Sequence, residues 1–136
     1  MQTNWRSSLT WRLTMAKQYT PARNEIIWLD FQPTKGKEIG KYRPALVLSS
    51  QAYNKQSGLL ICCPISTSIR GTATEVAVSN LEQPSVVAAG LVQTLAFGDR
   101  KAKFIADADD GVMDGVLMRI IPLIGADQLI EKMVNK

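Results

Sequence analysis

Histidine is absent from the 136 residues of this chain. That excludes Ser-His-Asp and Cys-His machinery within one chain and removes the commonest zinc ligand. Cysteine is scarce: Cys62 and Cys63 are the two it has, and they are adjacent. Neighbours on a strand point to opposite faces, so this is no disulfide framework. Two adjacent thiols do not make a tetrahedral metal site either. A reducing compartment fits. No apolar run approaches the roughly 18–20 residues of a membrane span. The apolar residues among the first twenty are too scattered for a signal-peptide core. The expected location is therefore cytoplasmic, with no membrane partner. No phosphate-cradling glycine motif occurs, which disfavours nucleotide-driven chemistry. Acid–base chemistry here falls to carboxylates, hydroxyls, lysine, tyrosine or arginine.

What is present is ordinary in amount and uneven in place. Hydrophobic residues make up 46% and charged residues 21%, as in a globular domain, and the length favours one domain. The net charge is +4. Residues 1–104 carry 13 Lys/Arg against 6 Asp/Glu, whereas residues 105–136 carry 3 against 6. A basic body with an acidic end suggests a polyanion site on the body; a solvated charged surface is the plainer alternative.

Residues 1–20 have no clear period and read as an N-terminal extension, either disordered or preceding an alternative start at Met15. Residues 21–136 read as a single domain. Residues 25–31, 43–49 and 59–65 are rich in β-formers and read as strands, the third nearly all apolar. Pro64 is expected to mark its end or a bulge. Residues 32–41 form a polar loop with Pro33, Gly36 and Gly40, long enough to suspect function. Short strands follow at 74–79, 86–89, 91–95 and 101–106, and turns at this spacing suggest a compact barrel. Then the period changes. Val112, Val116, Ile120 and Ile124 recur every four residues and predict an amphipathic helix packed on the barrel. Asp107, Asp109 and Asp110 are placed to cap it, and Pro122 to kink or end it. Residues 126–136 add a short helical tail through Leu129, Ile130 and Met133. The acidic cluster at 107–114 lacks the calcium-loop pattern, so capping is its expected role and no metal or cofactor is assigned.

A dispersed set carries more chemistry. Glu38 lies in the long loop, Arg43 opens the second strand, and Ser66, Thr67 and Ser68 follow the third. In a small barrel these strand ends can converge on one face. A carboxylate, a guanidinium and hydroxyls suffice to cut RNA. The 2′-hydroxyl attacks its own phosphate when a base takes its proton, and a cation offsets the charge on the phosphoryl oxygens. Taken singly, each of these residues is more often an ordinary surface or loop residue.

The run Ile27-Trp-Leu-Asp-Phe-Gln-Pro-Thr-Lys-Gly36, then Glu38, then Arg43-Pro-Ala-Leu-Val-Leu-Ser49 resembles the MazF/PemK toxin family. Tyr53-Asn54-Lys55, Gly58, Cys63-Pro-Ile65, Gly71, Glu75-Val-Ala-Val-Ser79 and Arg100-Lys-Ala-Lys-Phe-Ile105 continue it at matching spacing. The resemblance covers roughly residues 20–125. It implies a mainly β fold, an SH3-like small barrel with short helices and a C-terminal amphipathic helix, of the MazF/PemK/CcdB kind and usually a homodimer. It implies the toxin of a type II toxin–antitoxin system: a metal-independent, sequence-specific endoribonuclease acting on single-stranded RNA, mRNA in particular. Products would be 2′,3′-cyclic phosphate and 5′-hydroxyl ends. A cognate antitoxin with a disordered, acidic tail would cover the RNA groove, and operator DNA would be met only through the antitoxin complex. The family's active arginine falls on Arg43, its active threonine on Ser66 and its loop glutamate on Glu38, the last as base or as positioner of Arg43. Lys35, Lys37, Lys41 and Arg70, with Thr67 and Ser68, would supply RNA contacts. Phe31 is read first as core and second as a stacking surface.

Departures from the family pattern fall at definite places. An aspartate proposed as catalytic in some relatives is replaced by Gly90, followed by Leu91, and an assisting histidine by Lys37. Phe97 stands for the family's tryptophan and Gly98 for the arginine after it. Two other readings follow: a catalytically weak or inactive relative that binds RNA or antitoxin, and a CcdB-like gyrase poison, against which Glu38, Arg43 and Ser66 argue.

Overall fold

The computed structural model of the chain describes residues 18–32 and 41–135. The expected extension at 1–20 thus lies mostly outside the described residues, as do Lys35, Lys37 and Glu38. Among the described residues seven strands form one curled antiparallel sheet: β1 (Glu25–Asp30), β2 (Tyr42–Val47), β3 (Leu59–Ser66), β4 (Glu75–Val78), β5 (Ser85–Ala88), β6 (Gln93–Ala96) and β7 (Lys103–Asp107). Their order is β4-β5-β3-β2-β1-β7, and β6 also pairs with β3. The α-helices among the described residues are α1 (Gln51–Ser57), α2 (Val112–Leu123) and α3 (Ala126–Val134). The mainly β architecture with a C-terminal helix on the sheet agrees with the sequence expectation.

Strand alternation builds two cores from one sheet. Ile26, Leu46, Cys63, Ile65, Val78 and Val87 face one side, where Val112, Val116 and Ile120 of α2 close over them. Ile27, Leu29, Phe31, Ala45, Val47, Leu60 and Cys62 face the other. The two cysteines therefore serve opposite cores and both are free thiols. Ile124, expected on the packed face of α2, is instead 70% exposed. It is the C-cap residue, beyond Pro122, and the helix has ended before it can pack.

Pro64 corrects a sequence expectation. It neither ends β3 nor bulges it, but pairs with Ala45 well inside the strand. On its other edge β3 pairs with β6 through Cys62 and with β5 from Ile65. Pro64 sits in the gap between those partners, where a missing N–H leaves no ladder bond unmade. The strand passes there from one curl of the sheet to the next.

The aspartate caps are a second correction. The residue before α2 is Gly111, in the left-handed region at φ 89°, and no side chain caps the helix. Val112 N–H instead donates to the Asp109 carbonyl at 3.2 Å, and the Asp109 carboxylate accepts from Ser79 Oγ at 3.0 Å. Asp107 belongs to β7. Where glycine allows the chain to turn back, the backbone meets its own donors and releases the carboxylates for other work.

Asn54 ties the N-terminal segment to the sheet. Fully buried in α1, it donates through Nδ2 to the carbonyls of Pro21 at 2.8 Å and Ser49 at 3.3 Å. Its Oδ1 accepts from Ser49 Oγ at 2.6 Å. A buried amide with its capacity used in this way is stabilising rather than costly.

Candidate active site

The β2–β3 ladder runs Val47↔Cys62, Leu46↔Cys63, Ala45↔Pro64. Carried two residues further, the same register sets Arg43 level with Ser66, just beyond the end of the ladder. Arg43 shares the side of Ala45 and Val47, and Ser66 the side of Pro64 and Cys62. Residues 23 apart in sequence thus come to one end and one face of a strand pair. Lys41 immediately precedes β2, and Thr67 and Ser68 immediately follow β3, all three exposed. Convergence of strand ends, expected from the sequence, is what the topology supplies for Lys41, Arg43 and Ser66–Ser68.

Arg43 is partly buried. Burial lowers its pKa below the ordinary arginine value, yet an arginine remains cationic at neutral pH. A partly desolvated guanidinium binds a phosphate more strongly than one in open water. Ser66 Oγ accepts the Ser68 N–H at 3.0 Å, which turns the loop sharply and fixes the hydroxyl. That bond uses the oxygen as acceptor and leaves the hydroxyl proton for another oxygen.

Arg70 stands apart from this group. Its backbone N–H, with that of Gly71, donates to the Glu75 carboxylate, Gly71 at 2.8 Å. Glu75 thereby closes the 66–75 loop, and the Arg70 side chain is carried on its exposed flank. Gly90, where the resemblance expects an aspartate, is also apart. It lies in the 3-10 turn Ala89–Leu91, beside Cys63, whose Sγ donates to the Ala89 carbonyl at 4.0 Å. Cys63 and Ser66 are three residues apart on β3, about 10 Å at strand rise.

Two features were missed in the sequence. The first is Arg100. Its guanidinium donates to the carbonyls of Asp30 at 2.9 Å, Gln32 at 2.8 Å and Ala96 at 3.0 Å. Tyr42 Oη donates to the neighbouring Lys101 carbonyl at 2.9 Å, and Phe31 N–H to the Lys41 carbonyl at 3.0 Å. The turn before β7 thus clasps both arms of the 32–41 loop. Only the run Arg100-Lys-Ala-Lys hinted at it, and nothing local says which carbonyls a guanidinium will reach. The second is the aromatic surface. Phe31 is buried in the core, as its first reading held. Trp28 and Tyr42 stack with centroids 5.4 Å apart and are exposed, on the side of β2 opposite to Arg43. Among the described residues, no group of three His, Cys, Asp or Glu is placed to hold a metal ion.

Residues 22–124 match the model of the family described as PemK-like, MazF-like toxins of type II toxin–antitoxin systems. The endoribonuclease toxin MazF of Escherichia coli K12 is 40% identical over 88 residues, 65% of this chain and 79% of that one. The crystal structure of MazF from Deinococcus radiodurans superposes with a TM-score of 0.76 at 36% identity, covering 79% of this chain and 99% of that one. In a MazE–MazF crystal structure from the same organism the TM-score is 0.69 at 32% identity, over 79% and 98% of the two chains. With a family match over most of its length, and a fold shared at over 30% identity, this chain belongs to the PemK-like, MazF-like toxins of type II toxin–antitoxin systems.

Proposed function

We propose that this chain is an endoribonuclease toxin that cuts single-stranded mRNA at a short sequence, without a metal, leaving 2′,3′-cyclic phosphate and 5′-hydroxyl ends. The observation that carries it is the register that sets Arg43 level with Ser66 on one face of the sheet. The attacking group belongs to the RNA itself. Glu38 takes the 2′-hydroxyl proton or positions Arg43. The 2′ oxygen bonds to phosphorus, the bond to the 5′ oxygen breaks, and the departing oxygen takes a proton. Arg43 stabilises the charge that builds on the phosphoryl oxygens, and Ser66 donates its remaining proton to the same group. Lys35, Lys37, Lys41, Thr67, Ser68 and Arg70 hold the flanking nucleotides.

The family membership and the MazE–MazF neighbour support a cognate antitoxin as partner, and an acidic disordered segment of it suits the basic body. The working form is a homodimer in the cytoplasm. Among the described residues no helix is long and apolar enough to cross a membrane. Gly90 favours a second reading, a catalytically weak relative that still binds RNA and antitoxin.

Purified protein incubated with a long defined RNA in EDTA, with 5′ ends mapped, tests the first reading. Wild type should cut at a recurring short sequence. Arg43→Ala should cut roughly 10²–10³-fold more slowly, as when an oxyanion-stabilising donor is lost. Equally intact RNA from both proteins would sink the enzymatic reading and leave the binding one.

A further inference from the structure

The last helix differs from the rest of the molecule in two ways. α3, Ala126–Val134, begins after the residues matched to the family model, 22–124, and none of its residues is buried. Its sequence is nevertheless that of a packing helix. Ala126, Leu129, Ile130, Met133 and Val134 recur at i, i+3, i+4, i+7 and i+8, a single apolar stripe. Leu129, Met133 and Val134 are 60%, 65% and 74% exposed. The neighbouring helix α2, which α3 contacts, also exposes Leu117 and Met118. An exposed apolar stripe at helical spacing marks an interaction site rather than scattered exposure.

The polar residues of α3 indicate what covers the stripe. At about 100° per residue, Asp127 and Glu131 lie to one side of it and Lys132 to the other. Gln128 and Asn135 fall at the back. A membrane-surface helix carries Lys and Arg on both flanks, and a strongly charged partner calls for flanks of one sign. An acidic flank opposite a basic one complements itself. Two such helices packed stripe to stripe about a two-fold axis parallel to them set each acidic flank against the partner's basic flank. Packed antiparallel, they set acid against acid and base against base.

We propose that α3 pairs in parallel with α3 of a second copy of this chain, stripe to stripe. Nine residues make a helix about 14 Å long, short for an interface by itself. The pair therefore adds to the homodimer read above and fixes how the two C-terminal ends meet.

The test uses the full chain and no RNA, so its outcome is independent of the cleavage reading. Cys62 and Cys63 are buried and do not compete. Met133→Cys and Ala126→Cys, each at the centre of the stripe, are oxidised separately and mixed, with one carrying a size tag. Parallel pairing yields a disulfide dimer from each variant alone and no Ala126→Cys to Met133→Cys cross-link. A cross-link found only in the mixture, or none in any arm, overturns the proposal. Sedimentation equilibrium at low salt supplies the second measurement. Glu131→Lys should weaken the dimer about tenfold, and adding Lys132→Glu should restore it to within about twofold. A swap that fails to restore overturns the parallel pairing. A wild-type chain that stays monomeric overturns the homodimer along with it, whereas a wild-type dimer without cross-links overturns the α3 pairing alone.

Discussion

At Gly90 a single residue separates this chain from the relatives in which an aspartate is expected. A Cβ there would meet nothing nearer than Thr74 Oγ1, at 3.6 Å, an ordinary contact. The backbone is not in the left-handed region that reserves a site for glycine. Gly90→Asp should therefore fold as the wild type does, which an unchanged thermal midpoint would show. If the missing carboxylate limits turnover, the initial rate on a defined RNA rises by roughly 10²-fold, the low end for a general acid or base. An unchanged rate would mean that Glu38, Arg43 and Ser66 suffice. The cysteines make a different prediction. Burial pushes both thiols up to about 12, while in the unfolded chain they ionise near 8.5. Between those values the unfolded state loses protons that the folded state keeps, so stability falls as pH rises from about 8.5 toward 12. Tyr19, raised by burial and by its hydrogen bond to Glu25, acts in the same sense. Urea midpoints at pH 8 and pH 10.5 should fall accordingly, and the fall should shrink in Cys62→Ala. At pH 8 the native protein should resist thiol alkylation, and the urea-unfolded chain should not.

Elements take their positions from what they exchange at their ends. β3 is central because its run of apolar residues can be buried on both faces; it pairs with β2 on one edge, and on the edge where Pro64 lies it pairs with β6 and then β5. α2 is held by Val112, Val116 and Ile120, and Pro122 lies in its last turn, one residue before its end. The segments that flank residues 33–40 are held by the turn that carries Arg100, through Asp30, Gln32 and Tyr42. Arg100→Ala removes three hydrogen bonds from one charged group. Removal should lower stability by about 1–3 kcal/mol, measured by urea unfolding. Because the clasp sets the arm that leads into Arg43, kcat should fall more than RNA affinity. Equal losses in kcat and in binding would reduce Arg100 to a purely structural part.

Across the whole molecule the charge is divided, with a basic body and an acidic end. Binding to an RNA backbone by several lysines and arginines releases counterions, and affinity then falls steeply with salt. The five cations proposed to contact RNA (Lys35, Lys37, Lys41, Arg43 and Arg70) predict a log–log slope of about −3.5 for single strands, from roughly 0.7 per phosphate. Titration of a non-cleavable RNA between 50 and 200 mM salt, about fourfold, should thus weaken binding by roughly 130-fold. A slope near zero would place the RNA elsewhere. Lys41→Ala should reduce the slope by about 0.7.

Composition and periodicity by themselves determined the mainly β class, the opposed cysteines, the helix through Val112, Val116 and Ile120, and the core place of Phe31. Each is a local property, set by which side chains alternate or recur and by how much apolar surface they must hide. The absence of histidine likewise restricted the chemistry before any fold was known. Three things needed the tertiary structure. Register set Arg43 level with Ser66, because pairing between strands depends on turns and bulges elsewhere in the sheet. Gly111 let the backbone cap α2 and freed Asp109 for Ser79, a competition that sequence does not rank. Arg100 found its carbonyls on β1 and β6, since a long side chain takes partners that only the folded sheet brings within its reach.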